Sequence, residues 1–172
     1  TLGSALRRIM LSSIVGSSVT EVSIDGVQHE YSTIEGVQED VIDIMLNLKE
    51  VSFKMNGNSS ATLTLAKNEV GLVIASDIEL KNDIEIVNPD HVIANITTKG
   101  ASLNMQIEVS EGIGYSSAGQ RKHDANRIVG SLLIDASYSP IKKVSYKVDS
   151  ARVEQRTDLD KLIIELETDG TI

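Results

Sequence analysis

Between Val51 and Val109, apolar residues fall at every second position, in short runs parted by turn dipeptides. Val51, Phe53 and Met55 alternate with polar residues, as do Ala61, Leu63 and Leu65. Ile84 and Ile86 continue the pattern, then Val92, Ala94 and Ile96, then Leu103, Met105, Ile107 and Val109. Asn56-Gly57 and Lys99-Gly100 stand between runs. A period of two turns one face of a strand to the core and the other to water, and such dipeptides close turns between neighbouring strands. The spacing predicts antiparallel sheet over this stretch.

The flanks read differently. In TLGSALRRIMLSS, residues Leu2, Ala5, Leu6, Ile9 and Met10 recur at helical spacing and form one apolar stripe. Leu11 falls nearly opposite it, with Arg7, Arg8 and Ser4 beside. A leucine framed by two guanidinium groups is either a solvated face with one stray apolar residue or a partner-contact patch, since interfaces favour Arg around an apolar anchor. Gly16-Ser17-Ser18 breaks the helix, VTEVSIDG reads as a strand, Asp25-Gly26 as a tight turn and VQHEYST as the return strand. After Gly36, VQEDVIDIMLNLKE predicts a second helix with Glu39 and Asp40 in its first turn and Lys49 in its last. Glu111 to Arg127 reads as a polar, Gly-rich loop, and GSLLIDASYSP closes at Pro140. A hairpin follows, led in by Val144, Tyr146 and Val148 and out by Leu162, Ile164 and Leu166, with its turn placed near Arg156 to Asp160. The fold class expected is α+β.

Composition narrows the functions. Aromatic residues make up 3% of the chain, so the core must be aliphatic and a stacking platform for single-stranded nucleic acid is not expected. A net charge of -9 supplies no surplus of Lys and Arg for a phosphate backbone, so direct nucleic-acid binding is not expected either. There is no cysteine, which removes disulfides and thiolate chemistry and fits a reducing compartment. No apolar run reaches the roughly 18 residues that span a bilayer. The chain starts at Thr1 within a helical pattern, and Thr171 is placed to cap a helix after the last residue. Both ends are therefore expected to lie inside a longer protein.

Candidate chemistry is sparse. His29, His91 and His123 are scattered and make no two-histidine helical pair. Asp158 and Asp160 have a spacing used to hold Mg2+ in phosphoryl transfer, but turns also favour carboxylates, which bond nearby amides. A metal-dependent small-molecule enzyme built on that pair stands as the enzymatic alternative. Gly112-Ile113-Gly114 lacks the ending of a phosphate loop, and Arg121-Lys122 reads as a solvated turn.

TLGSALRRIMLSS resembles the first helix of the bacterial-type RNA polymerase alpha subunit, usually TLGNALRRxLLSS. VTEVSIDGVQHEYSTIEGVQEDVIDIMLNLK, then IDASYSP, then ARVEQRTDLDKLIIELETDGTI resemble later parts of its amino-terminal domain, colinearly from Thr1 to Ile172. The resemblance implies a discontinuous dimerisation domain, 1–15 with 141–172, made of a helix plus antiparallel strands, and an inserted β-rich domain at 16–140. It implies a scaffold that pairs with a second alpha chain and collects the beta and beta-prime subunits of a nucleotidyltransferase complex. Catalytic Mg2+ would belong to those large subunits, with no catalytic residue and no cofactor in this chain. By the resemblance, Leu2, Leu6, Ile9 and Met10 face the second copy. Arg7, Arg8 and Leu11, with Glu30, Glu35 and Asp40, meet the large subunits, and Arg152, Glu154, Arg156 and Asp158 lie on the edge that meets beta-prime. The family's G-R-G-Y loop departs here, with Ile113 for the arginine and Ser117 where proline is common. An amino-terminal strand, a second dimerisation helix, a linker and a DNA-binding carboxyl-terminal domain lie outside this sequence. A chain of this extent is expected to dimerise weakly or to aggregate. The resemblance implies a cytoplasmic, nucleoid-associated or plastid setting. An alpha-like subunit of archaeal or eukaryotic type is the nearer alternative.

Overall fold

The computed structural model describes residues 1–57, 59–81, 83–121, 130–154 and 156–172, with the backbone alone at 153 and 156–158. Three short helices and thirteen strands follow in the order α1 (Leu2–Ser12), β1 (Val15–Ile24), α2 (Val41–Lys49), β2 (Phe53–Met55), β3 (Ser60–Lys67), β4 (Gly71–Ile74), β5 (Ile78–Glu79), β6 (Ile84–Ile86), β7 (Val92–Ile96), β8 (Leu103–Ile113), β9 (Tyr115–Ser116), α3 (Ala118–Arg121), β10 (Leu132–Leu133), β11 (Ala136–Ser137), β12 (Ile141–Val153) and β13 (Arg156–Thr168). The chain is mostly antiparallel sheet with few helices, as the period-two runs predict.

The central sheet has the order β10-β1-β8-β3-β5. Its register explains the alternation. Ile24, Met105 and Leu65 pair across three strands, as do Val22, Ile107 and Leu63, and Val19, Val109 and Ala61. A bulge between Val19 and Glu21 adds one residue to β1. Thr20 is the residue left over, so Val19 and Val22 join the same apolar face although three apart in sequence. The strand expected over VTEVSIDG is thus present, with its period of two broken at Thr20. α2 contributes Val41, Ile44 and Leu48 to the same core, and the two-stranded ribbons β2–β6 and β4–β7 contribute Phe53, Met55, Ile84, Val73, Ile93 and Ile96. Each such side chain is worth roughly 1.5–3 kcal/mol on full burial.

Several expectations are corrected. VQHEYST forms no return strand; it is irregular, because β8 and β10 already occupy both edges of β1. Gly16-Ser17-Ser18 is no break but part of β1. The second helix starts at Val41, four residues later than its pattern suggests. Val37 instead bridges Ile96, the Gln38 amide donates to the Asn95 carbonyl, and the Asn95 amide donates to the Glu39 carboxylate at 2.6 Å. These bonds tie 37–39 to β7. The supposed loop from Glu111 begins as strand, since β8 runs to Ile113 and Gly114 turns at φ +70. His123 and the rest of 122–129 lie outside the described residues.

The hairpin β12–β13 has strands of 13 residues each. Val153 pairs with Arg156, so the turn holds Glu154, at φ 55, and precedes the expected place. Val144, Tyr146 and Val148 pair with Leu166, Ile164 and Leu162 and share one apolar face. Lys143 pairs with Glu167 and Asp149 with Lys161 on the opposite, charged face. Asp160 pairs with Ser150 inside a strand and is exposed, and the Asp158 side chain lies outside the described residues.

Candidate assembly interface

α1 starts on a capped turn, where the Thr1 hydroxyl accepts from the Ser4 amide at 3.4 Å. It then lies against β12. Gly3, the only buried residue of the helix, sits on the Tyr146 ring, in the space a β-carbon would need. One turn on, Arg7 Nε donates to the Val144 carbonyl at 3.1 Å. Leu6, Met10, Ser4 and Leu11 flank this line of contact and are half-buried. So two expectations about this helix change. Leu11 does not stand free on the polar face, and Arg7 is turned to its own hairpin rather than framing an exposed leucine. The helical period is the reason: Gly3, Arg7 and Met10 are i, i+4 and i+7, one side of the helix.

The outward side carries Arg8, Ser12, Ala5, Ile9 and Leu2, all exposed. Leu2 is 69% exposed and Ile9 55%, large values for apolar side chains on a helix already packed elsewhere. The Arg8 guanidinium has no partner among the described residues; the Ser12 hydroxyl donates to the Arg8 carbonyl at 2.7 Å. Arg8 lies on one flank of this side, and Leu2 and Ile9 on the other. The predicted apolar stripe is therefore split, with Leu6 and Met10 toward the hairpin and Leu2 and Ile9 toward solvent.

Glu30, Glu35 and Asp40 lie on the irregular segment between β1 and α2, Glu30 half-buried and the other two exposed. Glu30 borders a shallow groove of about 290 Å3 lined by Ile42, Met45, Leu46, Leu133 and Ile134. Arg152 and Glu154 are exposed at the hairpin tip. At about 3.3 Å per residue the tip lies some 20 Å beyond Tyr146, so it and α1 form separate patches. The Arg156 and Asp158 side chains are outside the described residues. Among the described residues no three His, Cys, Asp or Glu side chains are grouped so as to hold a metal ion.

Two polar residues to which the sequence assigned no site role fix the surface near this groove. The Asp135 carboxylate accepts the Ala118 amide at 2.6 Å and binds the Tyr115 phenol. Those bonds, the amide's first, hold its carboxyl below the ordinary aspartate value, and the carboxylate in turn raises the Tyr115 phenol. Arg121, read as a solvated turn residue, is half-buried and donates to the Thr20 carbonyl at 2.8 Å, to Ser116 Oγ at 3.2 Å and to the Ile134 carbonyl. Together they clasp α3 to the sheet. A carboxyl with a lowered folded pKa adds stability above its unfolded pKa and loses it as pH falls through the folded value. Asp135→Asn is expected to cost stability at about pH 7 and progressively less as the pH falls below the ordinary aspartate range, where the wild-type carboxyl takes up its proton. Urea midpoints across that range would converge; curves that stay parallel would contradict the bond's contribution.

A family model described as the RNA polymerase Rpb3/RpoA insert domain matches residues 22–139. That is more than half of the chain, and it covers the β-rich body from the end of β1 to Ser139. The chain belongs to this family, as the amino-terminal domain of an RNA polymerase alpha-type subunit. It is accordingly one component of a nucleotidyltransferase complex and associates with other polymerase subunits. No helix among the described residues is long and apolar enough to cross a membrane.

Proposed function

We propose that this chain is the non-catalytic scaffold of a DNA-directed RNA polymerase of bacterial or plastid type. It pairs with a second alpha chain and gathers the beta and beta-prime subunits, in a cytoplasmic, nucleoid-associated or plastid setting. The division into a discontinuous dimerisation domain, 1–15 with 141–172, and an inserted body, 16–140, is part of the same reading. The observation that carries it is the outward side of α1, with Leu2 and Ile9 bare on one flank and, on the other, Arg8, whose guanidinium has no partner among the described residues. A helix that already has a packed side has no need of a second apolar flank in water. An apolar flank suits a like surface on a twin chain, and a free guanidinium suits a carboxylate on a large subunit. Glu30, Glu35 and Asp40 would extend the beta surface, and Arg152, Glu154, Arg156 and Asp158 the beta-prime surface. Catalytic Mg2+ would be held by the large subunits, with no cofactor and no direct nucleic-acid contact in this segment.

The paired change Leu2→Asp with Ile9→Asp tests the twin-chain flank. Two buried carboxylates in a shared apolar seam would be strongly unfavourable. Native mass spectrometry of polymerase assembled with this subunit should show the complex holding two alpha chains fall at least tenfold. Assembly of that complex at wild-type yield by the paired variant would remove the twin-chain role of these residues.

A further inference from the structure

The chain consists of two packed bodies joined at a narrow place. Among the described residues, the main apolar core draws on residues from Val19 to Ile134 and on none from α1, β12 or β13. α1 packs instead on β12. Ser13 and Ile14 lead from α1 into β1, and Tyr138, Ser139 and Pro140 lead from β11 into β12. The second connection starts at Tyr138, which is buried, and the first ends at Ile14, two residues before Gly16, which Tyr138 contacts.

Tyr138 is held at four points. Its amide donates to the Gly114 carbonyl at 2.9 Å. Its carbonyl oxygen fills the space where Gly16 would carry a β-carbon. Its ring covers Gly112, where a β-carbon would come within 2.7 Å of Cε2. Its hydroxyl lies 3.3 Å from Ser110 Oγ. Gly16 and Gly112 are directly paired partners in the β1–β8 ladder. The two missing β-carbons therefore make a single notch across neighbouring strands, and Tyr138 sits in it. Beside the notch the bodies part. A cleft of about 750 Å3 separates Lys49, Glu50, Asn88 and His91 on one side from Lys142 and Asp169 on the other. Beyond the notch, Gly170 meets Val87, and Thr171 and Ile172 border a small pocket with Phe53, Lys54 and Met55. Bodies joined by a small, open contact move relative to each other unless something fixes them.

The geometry points to Tyr138 as a pin that fixes the angle between the helix–hairpin unit and the β-rich body. Seated in the glycine notch, it constrains both crossing segments at once, and either body can keep its own packing without it. The consequence for assembly rests on the reading in the preceding section. If one large subunit meets both α1 and the Glu30–Asp40 segment, it reaches them together only at a set angle. The pin is then a positioning residue for capture, remote from every contact.

The chain has no cysteine, so Ser150→Cys on β12 and Lys99→Cys before β8 take a unique pair of spin labels in the full chain. The wild-type background should give one narrow distance distribution. Gly112→Val fills the notch and drives the ring out; the distribution should broaden roughly twofold or more as the bodies swing, with the far-ultraviolet spectrum unchanged. Tyr138→Leu, which keeps an apolar side chain but loses ring and hydroxyl, should broaden it likewise and decides the matter alone if the valine variant does not fold. Tyr138→Phe keeps the ring seated and should stay narrow. A distribution as narrow as wild type in folded Tyr138→Leu would overturn the pin. Capture of the large subunits by the same variant separates the two ideas: broadened distances with undiminished capture would leave the pin standing and remove the two-surface assembly reading.

Discussion

Phe53→Ala is expected to lower the stability of the chain by about 3–5 kcal/mol, a large share of the roughly 5–15 kcal/mol that holds a domain together. Phe53 is 1% exposed and one of the largest fully buried side chains. It sits in β2, paired with Ile86, and carries the β2–β6 ribbon against the central sheet. Aromatic residues are only 3% of the chain, and the aliphatic side chains of the neighbouring sheet are fixed in paired rows. The Ser17 hydroxyl donates to the Phe53 carbonyl, and the alanine leaves that bond in place, so the loss measured is that of packing. Urea unfolding should show a lower midpoint at an unchanged slope. A shift worth under about 1 kcal/mol would mean that the ribbon is not part of the core.

Arg8→Glu should weaken capture of the large subunits about 100-fold while leaving the fold as it is. Its side chain is exposed and makes no bond within the chain among the described residues, so its reversal costs the monomer little. At an interface the same change removes a charge-assisted pair and sets two like charges together, and each effect is worth a few kcal/mol once water is excluded. Comparison of the unfolding midpoint with the affinity for purified beta subunit separates the two. An unchanged midpoint with a large loss of affinity is expected. A lost midpoint would mean that Arg8 serves the fold, and an unchanged affinity that it serves neither.

The sequence announced the strands better than it announced their partners. Rows such as Ile24, Met105 and Leu65 alternate because each strand has one buried face, and that is written locally. Which strand lies beside β1 is not. The Asp25-Gly26 turn invites VQHEYST to return, yet β8 comes from some eighty residues later and takes the edge. The helix predicted from Val37 shows the same limit, since Val37, Gln38 and Glu39 are spent on β7 instead. On α1 the period marked an apolar stripe and a polar face but could not say which side the chain itself would cover. The buried glycine was the available signal, because a glycine inside a helix marks a close approach, here to Tyr146. Arg121 and Asp135 carried no signal at all, since most of their partners are main-chain groups brought near only by the fold.

Equilibrium binding of this chain to the purified large subunits bears most directly on whether α1 is an assembly surface. Saturable binding of the wild type should protect the α1 amides from hydrogen exchange and should be lost in Arg8→Glu. Binding that leaves α1 exchanging as in the free chain, or no binding at all, would contradict the role given to that helix.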